Sequence, residues 1–86
     1  MKIWCKLLLN NKIKSDMIYS SDLDMSYESY ENWVREICLK MDIPAPIVLP
    51  THYKNFYLFH NSRFKKGDFI ETTSFDTFMI EDCRED

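Results

Sequence analysis

Two histidines, three cysteines and one aromatic, basic stretch are the side chains from which this chain could build chemistry. The stretch is THYKNFYLFHNSRFKKGDFI, residues 51–70. It holds six aromatic rings, both histidines, four basic residues and the only glycine. Three kinds of chemistry would use such a set: stacking on nucleic-acid bases, metal ligation, and acid–base or thiol catalysis. Stacking would take Tyr53, Tyr57 and Phe64 as platforms between Lys54, Arg63, Lys65 and Lys66, a groove suited to a single strand. Those seven residues form the candidate binding surface. No RNP signature, helix-turn-helix pattern or zinc-finger spacing accompanies them. The net charge of -3 also opposes counterion-releasing contact with phosphates.

Metal ligation is poorly served. His52 and His60 stand eight apart, which on a helix separates the rings by more than about 10 Å along the axis. No C-x-x-C or H-x-x-x-H spacing occurs. Cys5, Cys38 and Cys83 are far apart in the chain and are expected to be reduced. Cys38 falls on an apolar helical stripe, where a thiol is inert, and Cys83 sits among acids. Paired carboxylates such as Asp76 and Glu81 recur by chance in any acidic chain. A single glycine excludes a glycine-rich phosphate loop. The reading is therefore a non-enzymatic protein with no catalytic residues, no metal site and no cofactor.

The elements that position these residues follow from periodicity. KIWCKLLL alternates as a strand, with Ile3, Cys5, Leu7 and Leu9 on one face and Trp4, Lys6 and Leu8 on the other. Asn10-Asn11 tolerates the left-handed backbone of a two-residue hairpin turn. KIKSDMIYS then returns, with Ile13, Ser15, Met17 and Tyr19 expected inward and Lys12, Lys14 and Asp16 outward. Residues 26–41 carry Tyr27, Tyr30, Trp33, Val34, Ile37, Cys38 and Met41 at three- and four-residue spacing, the stripe of an amphipathic helix. Ser26 or Asp24 is the expected N-cap, and Pro44 and Pro46 close the helix.

IVL at 47–49 reads as a short edge strand between prolines. Thr51 is the expected N-cap of a second helix running to about Asn61. KKGD at 65–68 reads as a turn in which Gly67 supplies backbone freedom. Phe75–Cys83 contains a last strand, apolar on both faces and so interior to the sheet. The expected fold class is α+β: a small, mostly antiparallel sheet beginning with a β-hairpin, order β-β-α-β-α-β, with helices packed on one face.

Bulk properties bound the rest. Eighty-six residues make a single domain, 1–86, that buries about 65% of the surface its unfolded chain exposes. Hydrophobic residues at 45% and charged residues at 29% describe a folded, soluble chain rather than a disordered one. No run of about 18 apolar residues is present, so no membrane association is expected. Lys6 interrupts the N-terminal apolar run and no small-residue cleavage site follows, so the expected location is cytoplasmic. Charge is uneven: residues 21–32 are acidic, 51–70 basic, and the C-terminus acidic again.

The opening K-I-W-C-K-L-L, a proline followed by a short apolar strand, Arg63-Phe64, Phe69-Ile70-Glu71 and Phe75-Asp76 together resemble a group of small clostridial-type bacterial proteins. Those proteins have similar length, and the resemblance spans nearly the whole chain. It implies a bacterial cytosolic protein and carries no activity or site residue with it. On physical grounds alone, Arg63 is expected to meet Glu71 or Asp76 and so hold the last strand. The expected function is protein interaction or homo-oligomerisation, with a protein partner or a second copy of the chain. A single-stranded nucleic-acid module using residues 51–66 is the second reading.

Overall fold

A computed structural model describes residues 2–20 and 26–83. Four strands and two helices are present among them: β1 (Lys2–Leu9), β2 (Lys12–Ser20), α1 (Tyr27–Met41), α2 (Pro50–Phe59), β3 (Asn61–Lys65) and β4 (Thr77–Asp82). The strands form one antiparallel sheet in the order β2-β1-β4-β3. The α+β class is as expected. The element order is β-β-α-α-β-β, because the third strand lies after the second helix rather than before it.

The hairpin closes through Asn10 and Asn11, both left-handed with φ of 52° and 64°. Two consecutive left-handed residues match the twist of the flanking strands. The register shifts between Leu7, which faces Ser15, and Leu8, which faces Ile13. Lys14 is therefore an extra, bulged residue. The bulge reverses the face of everything before it. Ile13, expected beside Met17 and Tyr19, instead lies on the far face opposite Leu8 and is half exposed.

α1 forms where its stripe predicts. Ser26 Oγ accepts the Ser29 amide at 3.2 Å and caps it. Asp24, the other candidate cap, lies outside the described residues. The helix ends in a left-handed Asp42, and the Ile43 amide donates back to the Cys38 carbonyl at 3.0 Å. That bond closes a Schellman motif, so the stop precedes Pro44.

The expected strand at 47–49 is absent. Pro46 and Pro50 bound the three residues on both sides and cannot extend a ladder past them, and Pro50 instead opens α2. The Ile47 amide donates to the Asp68 carbonyl at 2.7 Å and ties the segment to residues 66–68. α2 starts two residues earlier than expected, with Leu49 rather than Thr51 as N-cap and Pro50 in the first turn, where a missing N–H costs nothing. It ends at His60, left-handed with φ 63°, which frees Asn61 to open β3. Lys66–Asp68 is a single 3-10 turn. Gly67 has no positive φ, and an added Cβ would meet nothing within 4 Å. The turn does not use the freedom that glycine offers.

Both helices pack on one face of the sheet. That face presents Ile3, Cys5 and Leu7 from β1, Tyr19 from β2, Phe78 and Ile80 from β4, and Ser62 and Phe64 from β3, all buried. Trp33 and Tyr30 of α1 meet Phe56 of α2 at centroid distances of 5.3 and 5.7 Å. Each fully buried large side chain of this kind contributes about 1.5–3 kcal/mol. β4 lies between β1 and β3, the interior position that its two apolar faces required.

Candidate functional site

The seven expected binding-surface residues do not form one surface. Phe64 is a core residue, 0% exposed, stacked on Phe78 at 5.7 Å and against the His52 ring at 4.3 Å. Strand alternation explains this. Ser62 and Phe64 point to the helices, whereas Arg63 and Lys65 point to the opposite, open face. The period of two in Ser62-Arg63-Phe64-Lys65 is legible in the sequence and would have separated the ring from its neighbouring cations. Lys66 pairs with Asp76 at 3.5 Å across the 3-10 turn. It takes the role expected of Arg63, which lies instead on the open face beside Met79.

Tyr53, Lys54 and Tyr57 lie together on α2. The helix buries His52 and Phe56 four residues apart, so the opposite side faces solvent. Tyr57 is 58% exposed and Leu58 is 51% exposed. With Tyr53 and Lys54 they line a shallow, open depression whose walls are almost wholly apolar. Phe59, 64% exposed, lies further round, against a notch shared with Asn55, Asn61 and Arg63. Leu58 and Phe59 belong to the exposed surface and were absent from the expected set. Placing the helix stripe on His52 and Phe56 would have found them.

The open face of the sheet has its own organisation. Trp4 Nε1 donates to Asp16 Oδ2 at 2.9 Å, and Lys6 Nζ lies 3.9 Å over the Trp4 ring and 3.8 Å from Glu81. Lys6 is only 9% exposed. The ring is thus already covered by a cation that is itself paired, so Trp4 is not a free stacking platform. Arg63 and Lys65 project from the far strand of this face, away from Tyr57. Apart from Lys54 beside Tyr57 on α2 and Arg63 beside Phe59, exposed rings and exposed cations therefore diverge.

His52 carries the one histidine–carboxylate pair among the described residues. Nδ1 accepts the Leu49 amide at 2.9 Å, and Nε2 stands 3.4 Å from Asp68 Oδ2. An acceptor at Nδ1 places the neutral ring's proton on Nε2, facing the carboxylate. Both nitrogens are engaged, and neither offers a lone pair to a substrate. Asp68 also accepts the Lys65 amide at 2.8 Å, which fixes the 3-10 turn beneath α2. This pair is an N-terminal clamp for the helix.

Cys5 and Cys38 are buried, and burial pushes both thiols up to about 12. Neither supplies a thiolate at neutral pH. The Tyr30 phenol is likewise raised by burial, with the Ser62 hydroxyl beside it opposing the shift. Those two oxygens are nonetheless too far apart or misaligned for a good bond, and Trp33 Nε1 is also unpartnered in the core. Among the described residues, no three His, Cys, Asp or Glu side chains converge as a metal site would require. No helix among them is long and apolar enough to cross a membrane. Compared with known families, with curated proteins and with solved structures, the chain matches none of them.

Proposed function

We propose that this chain is a non-enzymatic interaction module that docks protein through the solvent side of α2. One observation carries the reading: Tyr53, Tyr57 and Leu58 form a contiguous, largely apolar surface on a helix that buries only His52 and Phe56 on its other side. Singly exposed apolar residues are ordinary, and Leu39 and Ile70 are of that kind. A cluster on one helix face is not, and tyrosine with a neighbouring cation is the composition that interfaces favour. Three unpaired thiols suit a reducing compartment, so we place the protein in the cytoplasm.

A photoreactive residue at position 58, compared with one at Leu39 on α1, tests the docking surface. The expected outcome in the producing cell is a discrete protein adduct from position 58 and none from position 39. Indistinguishable labelling from the two positions, or none from position 58, overturns the proposal.

The second reading, a single-stranded nucleic-acid module, has the Phe59–Arg63 notch in its favour. It requires further rings and cations on one surface, and Lys65 lies on the open face while Tyr57 lies on α2. Titration of a labelled single-stranded oligonucleotide separates the readings. Binding that falls steeply with salt supports the second and counts against the first.

A further inference from the structure

We infer that the α2 surface is self-complementary and that its partner is a second copy of this chain. The inference rests on the docking reading above and concerns only what docks. The order of side chains across the surface carries it. Tyr53 lies toward α1, its ring 5.5 Å from those of both Tyr27 and Tyr30. Tyr57 stacks next to it at 6.3 Å. Lys54 and Leu58 follow their predecessors by about 100° of helix rotation, so they lie on the side away from α1. Lys54 is the one basic or acidic side chain in α2 apart from the engaged His52. Beyond the tyrosines in the other direction, α1 presents Glu28, exposed, and Glu31, one turn later and beside Tyr27; Arg35 reaches Glu31 from the next turn at 3.9 Å, a surface pair that leaves this margin net acidic.

The surface therefore has an acidic margin, an apolar tyrosine centre and a basic margin, in that order. A two-fold axis through the centre brings each margin of one copy against the opposite margin of the other. Lys54 of each copy meets Glu28 and Glu31 of its mate, and Tyr53, Tyr57 and Leu58 cover one another. A like-to-like contact of this kind needs no second protein to complete its charge pattern. Another route to self-association, pairing of the β2 edge strands, is blunted by the bulge at Lys14 and by Lys12 and Lys14 themselves. An interface of so few residues belongs to the small class, below about 1,200 Å² in total, so the dimer is weak and concentration-dependent.

Sedimentation equilibrium of the purified chain provides the test. Wild type is expected to rise from the mass of one chain to that of two between about 1 µM and about 1 mM, a range set by the small interface. Lys54→Glu alone sets acid against acid at both margins. Glu28→Lys with Glu31→Lys sets base against base. Each variant is expected to lose association at least tenfold, and an equimolar mixture of the two is expected to restore it, because all margins are then matched. Independently of any variant, wild-type association is expected to weaken as salt rises from about 50 to about 500 mM. A wild type that stays monomeric, indifference to salt, or two variants that each self-associate as wild type does overturns the inference. A monomeric wild type that still gives a position-58 adduct with a different protein would sink the second-copy inference and leave the docking reading standing.

Discussion

At the scale of the single residue, His52 shows how one side chain can hold an element without catalysing anything. A sequence that begins a helix with Leu-Pro-Thr has no good side-chain cap at Leu49, since a leucine offers no acceptor. The imidazole of His52 supplies the reciprocal half of a capping box instead, turning back to accept the Leu49 amide at 2.9 Å. Its other nitrogen faces Asp68 and its ring lies on Phe64, so α2, the 3-10 turn and β3 are joined through one residue. His52→Ala removes the cap, the carboxylate's partner and the ring contact together, and should cost about 2–4 kcal/mol. His52→Phe keeps the ring contact and loses only the polar part, and should cost about 1–2 kcal/mol. Urea unfolding of both variants measures the difference; equal losses would mean that the ring contact contributes nothing.

At the scale of the element, the sequence was legible where a period or a turn chemistry was unambiguous. The α1 stripe and the Asn10-Asn11 turn are of that kind, and both formed as expected. It misled where two signals competed. Val48 and its neighbours have strand propensity, but Pro46 and Pro50 on either side deny them a ladder. NSRFK has little strand propensity, yet β4 supplies a partner edge and Ser62 and Phe64 fill the core face. Tertiary pairing decided both cases, and propensity alone could not. The bulge at Lys14 is a further instance, since one inserted residue moved Ile13 to the open face. The candidate site suffered from the same cause: once β3 is a strand, Phe64 and Arg63 must part. The 3-10 turn offers a test of what glycine does there. Gly67 spends no positive φ and has open space where a Cβ would stand. Gly67→Ala should therefore stabilise the fold by about 0.4–1 kcal/mol, through loss of freedom in the unfolded chain. A thermal or urea midpoint that falls instead would mean that the turn uses the glycine after all.

At the scale of the whole molecule, the two central strands come from opposite ends of the chain. β1 and β4 pair directly, so the sheet closes only when residues 3–8 meet residues 77–82. Loop closure of that length costs entropy that the junction must recover. Asp76 stands at the junction. Its amide donates to the Leu8 carbonyl at 2.8 Å, and its carboxylate accepts the Asn10 amide at 2.9 Å. Lys66 approaches the same carboxylate at 3.5 Å, and Lys14 reaches Ser74 two residues earlier. The hairpin turn is thereby fastened to the start of the last strand. The Asn10 amide, with Lys66 adding to it, holds the Asp76 carboxyl below its ordinary value of 3.8. A carboxyl lowered on folding contributes stability that is fully present above its unfolded pKa. That contribution is lost as pH falls through the lower folded value. Asp76→Asn keeps the shape and removes the charge. The variant should therefore unfold at lower urea than wild type at pH ~7, and the gap between the two midpoints should narrow at strongly acidic pH, as the wild-type carboxyl takes up its proton. The group is solvent-accessible and screened, so the gap at neutral pH should shrink further in high salt. A gap of the same size at both pH values would mean that the clasp holds through shape and backbone bonding, and that the charge of Asp76 is incidental to joining the two ends.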